Sequence, residues 1–318
     1  MTLPPSDHFN GKTFFNPGER ADRGLVDLLR WKLTSRAAAW PERIEVPRRP
    51  LPAAPGADGV VATWVGQSTV LLRSASATII TDPIFSERAG PVSWAGPRRA
   101  AAPGVDFGAV PRVDAVLLSH DHYDHCDLPT LRRLALRDDP VAVAPLGHRP
   151  LLEASGLRRV VELDWWQSGA GAPGVEVTLV PALHWCRRRP FGTNLRLWGG
   201  FMLRVGGRLV YFAGDSGYDE QLFAGIGRRC GAPDLALIPI GAYEPRWFMR
   251  SAHMDPSEAV RVHRDVGARR SIGMHWGTFQ LTDEGREEPV RALAEALRLA
   301  GVEPRAFDAP PIGASVCA

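Results

Sequence analysis

The run Ala115 to Leu118 is apolar and reads as a strand buried on both faces. It breaks at once into Ser119-His120-Asp121-His122-Tyr123-Asp124-His125-Cys126-Asp127, and no other stretch constrains the fold as much. On an extended backbone His120 and His122 point to one side, because side chains alternate with period two. Asp124 and His125 follow where the chain turns into the next helix, so they approach the same point from another direction. Four nitrogen and oxygen ligands converging there suit a borderline cation such as zinc. A polar loop with solvent-facing histidines is the alternative. The pattern His-x-His-x-Asp-His directly after an apolar strand fits that alternative poorly.

His184, Asp215 and His275 each lie just beyond another apolar, strand-like run. Loops at strand ends are where α/β sheets assemble sites. Seven donors are too many for one tetrahedral ion and suit two ions that share an aspartate. The first ion is assigned His120, His122 and His184, the second Asp124, His125 and His275, with Asp215 as the bridge. Taken singly, the later residues would read as a turn aspartate and hydrogen-bonded core histidines. Together with the histidine-rich loop they read as one binuclear site.

The rest of the chain sets the frame for that site. Val60 to Val65, Ser68 to Leu72 and Ala77 to Thr81 read as strands, the last ending at Asp82-Pro83. Phe201 to Val205 and Arg208 to Phe212, joined by Gly206-Gly207, form a hairpin that ends near Asp215. The spans Trp64–Asp82 and Trp198–Asp215 are of similar length, which suggests a duplicated β-unit. Further strands are expected at Val141 to Ala144, Val175 to Pro181, Asp234 to Ile240 and Ser271 to Met274. Helices are expected at Leu128 to Arg137 (Asp127 as N-cap), Arg149 to Ala154, from Pro256, and at Val290 to Leu299. Asp255, Pro256 and Glu258 carry a capping box for the third of these. A loop is expected from Gly241 to Met254. Strands alternating with helices make an α/β chain.

Residues 1–57 read as an N-terminal extension and 58–318 as the main domain. Within the extension, Arg23 to Trp40 is roughly amphipathic: Leu25, Leu28, Leu29, Trp31 and Leu33 alternate with Arg30, Lys32 and Arg36. Either its apolar side packs on the main domain, or it lies on an anionic membrane surface. Cys126, Cys186, Cys230 and Cys317 are widely spaced, so free thiols in a reducing, cytoplasmic compartment are expected, with peripheral contact at the inner membrane face left open. No apolar run approaches the ~18 residues of a membrane span. A net charge of +3 gives no reason to expect a nucleic-acid partner.

These motifs resemble the metallo-β-lactamase superfamily. Within it, the chain is similar to N-acyl-phosphatidylethanolamine-hydrolysing phospholipase D and its bacterial relatives over about residues 60 to 300. The resemblance rests on the loop from Ser119 to His125, on His184-Trp185-Cys186-Arg187, Leu197-Trp198-Gly199 and Phe212-Ala213-Gly214-Asp215. It extends to Ile238-Pro239-Ile240-Gly241-Ala242-Tyr243-Glu244-Pro245-Arg246-Trp247-Phe248-Met249, His253, Asp255-Pro256 and His275-Trp276-Gly277-Thr278-Phe279. It implies an αββα sandwich, two Zn2+ ions at one sheet edge, and hydrolysis of a phospholipid phosphodiester through a metal-bridging hydroxide. N-acylethanolamine and phosphatidic acid would be the products, and a homodimer is a family expectation.

The resemblance also implies roles outside the ligand set. Asp124 and His253 would be catalytic, with His253 binding the phosphoryl oxygen or protonating the leaving group. Asp82 would orient a ligand histidine from behind. His122 stands where di-iron relatives carry glutamate, and Asp215 where some lactamases use cysteine, so hydrolysis is favoured over redox chemistry. Ala252 departs from the glutamine of vertebrate members. Arg187-Arg188-Arg189 reads either as an anion contact or as a solvated loop, and Trp165-Trp166 and Trp247-Phe248 either as groove or as core. His8, His148 and His263 read as structural or exposed. A lactonase or another small-molecule phosphodiesterase on the same scaffold is the competing activity. From another class, the metal site would only hold the fold of a peripheral membrane protein.

Overall fold

Alternation of side chains decides how the chain layers. In the first half, Val70, Leu72, Ile79, Ala115, Leu117 and Val143 belong to the main core, which also holds Val177, Leu179, Phe201 and Leu203. The intervening Leu71, Ile80, Val116, Leu118, Ala142 and Ala144 face a second core that they share with Leu131, Leu134 and Leu152 of two helices. One sheet is therefore covered on one side by a second sheet and on the other by helices, the arrangement that lets its strands be apolar on both faces. The computed structural model describes residues 4–18, 24–56 and 58–318. Arg23 and Ala57, at the start of the expected amphipathic stretch and at the edge of the extension, lie outside them.

The first sheet is built from β1 (Val61–Gly66), β2 (Thr69–Arg73), β3 (Thr78–Thr81), β4 (Ala115–Leu117), β5 (Val141–Pro145) and β6 (Arg159–Leu163). The second contains β7 (Ser168–Ala172), β8 (Val175–Val180), β9 (Gly200–Val205), β10 (Arg208–Phe212), β11 (Leu235–Pro239), β12 (Arg270–Met274) and β13 (Phe307–Asp308). A final strand, β14 (Ser315–Cys317), closes the first sheet beside β1. The orders are β14-β1-β2-β3-β4-β5-β6 and β7 through β13 in sequence. In each sheet three antiparallel pairings are followed by three parallel ones. The two halves thus repeat one topology, with Asp82 just after β3 and Asp215 just after the equivalent β10. The tryptophans do not correspond, since Trp64 lies inside β1 whereas Trp198 precedes β9.

Among the described residues seven α-helices accompany the sheets: α1 (Leu25–Thr34), α2 (Leu128–Arg137), α3 (Arg149–Glu153), α4 (Glu220–Cys230), α5 (Arg246–Met249), α6 (Pro256–Asp265) and α7 (Glu288–Ala300). The capping box at α6 forms: Asp255 accepts from the Glu258 backbone at 2.9 Å, and Glu258 accepts from that of Asp255 at 3.1 Å. Asp127 precedes α2 but takes no backbone N–H of that helix. Its carboxylate instead accepts from the Ser86 hydroxyl at 2.9 Å and from Thr130 at 2.5 Å, tying the loop after β3 to the helix. A side-chain cap was the expectation, and a loop donor outcompetes the helix for the same oxygens.

Sequence patterning missed α4, β6, β7, β13, β14 and the short α5 inside the expected Gly241–Met254 loop. β7, Ser-Gly-Ala-Gly-Ala, lacks the branched side chains that mark strands, and α4 carries Gly225 and Gly227. Tertiary pairing overrides both.

α1 buries Trp31, whose indole donates to Asp283 at 2.9 Å and packs 5.0 Å from the Phe248 ring of α5. Val26, Leu29 and Leu33, spaced three and four residues apart, are exposed. Nearby, the Trp40 indole donates to the Glu284 carbonyl at 2.9 Å.

Candidate metal centre

The site forms where strands end. His120 and His122 follow β4, His184 follows β8, Asp215 follows β10 and His275 follows β12. The Cys126 amide donates back to the His122 carbonyl at 2.8 Å, which folds the loop so that Asp124 and His125 turn inward. Asp121 turns the other way and accepts from Arg196 at 2.7 Å, anchoring the loop without joining the cluster.

Seven side chains meet there in two groups. In the first, His122 Nδ1 lies 3.0 Å from His120 Nε2 and 3.2 Å from His184 Nε2. In the second, His125 Nε2 and His275 Nε2 are 3.2 Å apart and each lies 3.2 Å from Asp124 Oδ2. Asp215 Oδ2 is 3.1 Å from His125 Nε2 and 3.2 Å from His275 Nε2, and it stands 3.9 Å from His184 Nε2 in the first group. With zinc–nitrogen bonds of about 2.0–2.1 Å, the edge of a tetrahedral ligand set is about 3.3 Å. Both groups have nearly that spacing, so the donor atoms fit a small divalent cation in each.

Partners behind the ring fix which nitrogen faces inward. His125 Nδ1 donates to Asp82 at 2.6 Å. The Ser119 hydroxyl donates to the same oxygen, Asp82 Oδ2, and accepts from His120 Nδ1 at 2.9 Å. His184 Nδ1 donates to the Ala252 carbonyl at 3.0 Å. All three rings thus turn Nε2 toward the cluster. Ser119 and Gln67 escaped the sequence reading. Ser119 adjoins the histidine run, which was its only signal, and Gln67 passes for a turn residue between two strands. Four residues around the site adopt left-handed backbone: Gln67 (φ 52°), Asp82 (φ 33°), Ala242 (φ 62°) and His275 (φ 63°). Non-glycine residues hold such conformations only where the surroundings enforce them.

Electrostatics divides the groups in the same way. Burial, reinforced by neighbouring imidazoles, holds His120 and His122 well below the ordinary histidine range, and burial lowers His184 to about 4. These three rings are neutral donors. Burial also pulls on His275, but Asp215 and Asp124 outweigh it and raise this ring to about 9. His125 is likewise driven well upward by Asp215, Asp124 and Asp82 against its burial. Asp124 and Asp215 are held well below the carboxylate range, His125 and His275 outweighing burial. Two buried carboxylates therefore call for positive charge, which a dication would supply.

His253 stands at the edge of the cluster. Its ring centre is 5.1 Å from that of His184, and its Nδ1 lies 3.9 Å from Asp215 Oδ2. That Nδ1 is buried and has no hydrogen-bond partner among the described residues, as is true of His122 Nε2 and Asp215 Oδ1.

The ambiguous motifs resolve as well. Arg188 is structural: it donates to the carbonyls of Asp121 and Cys126 at 3.0 and 2.8 Å and lies over the Tyr123 ring. Arg187 and Arg189 are exposed. Trp165 is buried and donates to the Trp198 carbonyl, while Trp166 lies beneath Arg229. Phe248 packs on Trp31, and Arg30 covers Trp247. His8 pairs with Asp164 and stacks on Trp165, His148 donates to the Pro145 carbonyl, and His263 bonds Ser271. Cys126 and Cys186 are buried, and burial pushes the Cys126 thiol up to about 12. All four cysteines are free.

Residues 77–276 match the family model described as a Beta-lactamase superfamily domain. Over 75% of its length the chain is 39% identical to N-acyl-phosphatidylethanolamine-hydrolyzing phospholipase D 1 of Caenorhabditis elegans, covering 70% of that protein. Its identity is 34% over 81% of its length to the mitochondrial N-acyl-phosphatidylethanolamine-hydrolyzing phospholipase D of Saccharomyces cerevisiae, of which it covers 56%. Among solved structures, a metallo hydrolase from the archaeon Ignicoccus hospitalis shares the fold, with a TM-score of 0.60 and 20% identity. That match covers 82% of this chain and 98% of the other.

Proposed function

This chain belongs to the metallo-β-lactamase superfamily, in its N-acyl-phosphatidylethanolamine-hydrolysing phospholipase D family, and is a metal-dependent hydrolase; we propose that it is a binuclear zinc phosphodiesterase that cleaves N-acyl phosphatidylethanolamine. His120, His122 and His184 would hold one ion and Asp124, His125 and His275 the other, with Asp215 within reach of both groups. The observation that carries this reading is the pair of near-tetrahedral donor groups meeting at Asp215. Such a pair, when bound, supplies hydroxide near neutral pH, since metals lower the pKa of water from 15.7 toward about 7, and it screens phosphoryl charge.

The chain's own residues supply orientation and protons. Asp82 and Ser119 keep the His125 and His120 rings turned inward. Asp124, whose Oδ2 lies 3.2 Å from both His125 Nε2 and His275 Nε2, would serve as a ligand and take part in the reaction. His253, which burial lowers to about 3 and so keeps neutral, would take a proton from the attacking water and pass it to the departing ethanolamine oxygen as that oxygen's bond to phosphorus breaks, its Nδ1 facing Asp215. Water then accounts for both products, phosphatidic acid and N-acylethanolamine.

The substrate lies in a lipid surface, and we assign the docking face to α1. Val26, Leu29 and Leu33 are exposed there beside Arg30, and the helix leans through Trp31 on α5, a few residues before His253. Among the described residues no helix is long and apolar enough to cross a membrane, which suits contact from one side. Leu29→Glu with Leu33→Glu should slow turnover on anionic vesicles by about tenfold and leave turnover on detergent-dispersed substrate unchanged. Equal rates on vesicles would remove α1 from the interface.

The decisive experiment pairs metal analysis with product identification. Two zinc ions per chain, release of phosphatidic acid, loss of that release on chelation and its return with zinc are expected. Opening of lactones without phosphatidic acid release would assign the site to the competing activity. Metal-replete protein that binds vesicles but hydrolyses neither class would leave the ions a structural role.

A further inference from the structure

Gln67 lies in the tight turn between β1 and β2, fully buried and with left-handed backbone. Three hydrogen bonds hold it there. Its carbonyl accepts from the Trp64 indole at 2.8 Å and from the His275 amide at 3.0 Å, and its own amide donates to the Thr278 hydroxyl at 2.9 Å. The turn is thus stitched to the His275 loop on both sides. The side chain then reaches into the cluster, with Nε2 2.9 Å from Asp124 Oδ2 and 3.0 Å from His275 Nε2. Its Oε1 is buried with no partner among the described residues.

A carboxylate that ligates a cation has a rotational freedom that its distant covalent attachment does not remove. An N–H placed on the ligating oxygen removes it, and such supporting donors tune metal affinity. The chemistry of the donor matters. A lysine or arginine here would compete with the cation, and another carboxylate would add a ligand. A neutral amide orients Asp124 while leaving the charge balance intact.

We propose that Gln67 is a positioning residue for the Asp124–His275 half of the centre, acting through Asp124. The inference rests on the assignment of Asp124, His125, Asp215 and His275 to one cation. Its test is titration of metal-free protein with cobalt(II) alone, read by bound equivalents and by the visible d–d bands. Gln67→Asn is the first variant, because asparagine tolerates left-handed backbone and its amide falls about 1.3 Å short. Gln67→Met is the second, keeping the length without a donor. Both should weaken the second equivalent about 10–100-fold and alter its bands, with the first equivalent and the metal-free melting point unchanged. Unchanged binding of the second equivalent, or equal weakening of both together with a lower melting point, would overturn the positioning role. If Gln67→Met fails to fold, Gln67→Asn decides alone. A parent protein that takes up only one equivalent would refute the two-ion reading itself, whereas a parent with two and indifferent variants refutes only Gln67.

Discussion

Asp215→Ala is expected to lower turnover by roughly a thousandfold or more, the equivalent of about 4 kcal/mol of transition-state stabilisation. The reason is geometric. Asp215 Oδ2 lies within 3.2 Å of both His125 and His275 and within 3.9 Å of His184. Its loss also leaves His125 and His275 without the carboxylate that contributes most to their raised basicity. Metal content should therefore fall along with activity, from two ions toward one. Asp215→Asn separates charge from shape: it keeps an oxygen in place but removes a formal charge that offsets two dications. An Asp215→Ala protein that retains two ions and most of its turnover would remove the bridge from the reading.

His253→Ala should behave differently, and the contrast is informative. General acid catalysis contributes about 10²–10⁴-fold, so turnover should fall within that range while both ions stay bound. His253 makes no contact shorter than 3.9 Å with the ligand aspartate, and His184 draws its inward orientation from the Ala252 backbone, which the substitution leaves in place. The leaving group decides between two roles. An alkoxide needs a proton as its bond to phosphorus breaks, whereas a nitrophenolate does not. If His253 is the acid, the variant should lose little on a nitrophenyl phosphodiester and much on the lipid. If instead His253 binds a phosphoryl oxygen, both substrates should suffer alike. Unchanged turnover on the lipid would refute either role.

Much of the site was legible because its residue types are rare in combination and their placement is local. The loop from His120 to His125 announces candidate ligands within a few residues of one strand end, strands alternating with helices mark an α/β chain, and the αββα layering was an expectation of the family resemblance. His184, Asp215 and His275 were legible by their place after apolar runs. Elements without such a signature were not. β7 has almost no side chains to read, and α4 contains glycines that propensity counts against it. Asp127 was read correctly in position and incorrectly in its bonds, because Ser86, forty-one positions earlier, takes its carboxylate.

What the sequence determined by itself was the inventory of donors and the strand ends that carry them, since both depend on neighbours along the chain. The tertiary structure alone decided which atom of each donor faces inward and what stands behind it. His184 is oriented by a carbonyl 68 positions away, and Asp124 by an amide 57 positions away. Gln67 and His275, 208 positions apart, become neighbours only because the ends of the two sheets meet. A ligand's chemistry is a property of its side chain, whereas its aim is set by packing, and packing joins residues that the order of the chain keeps apart.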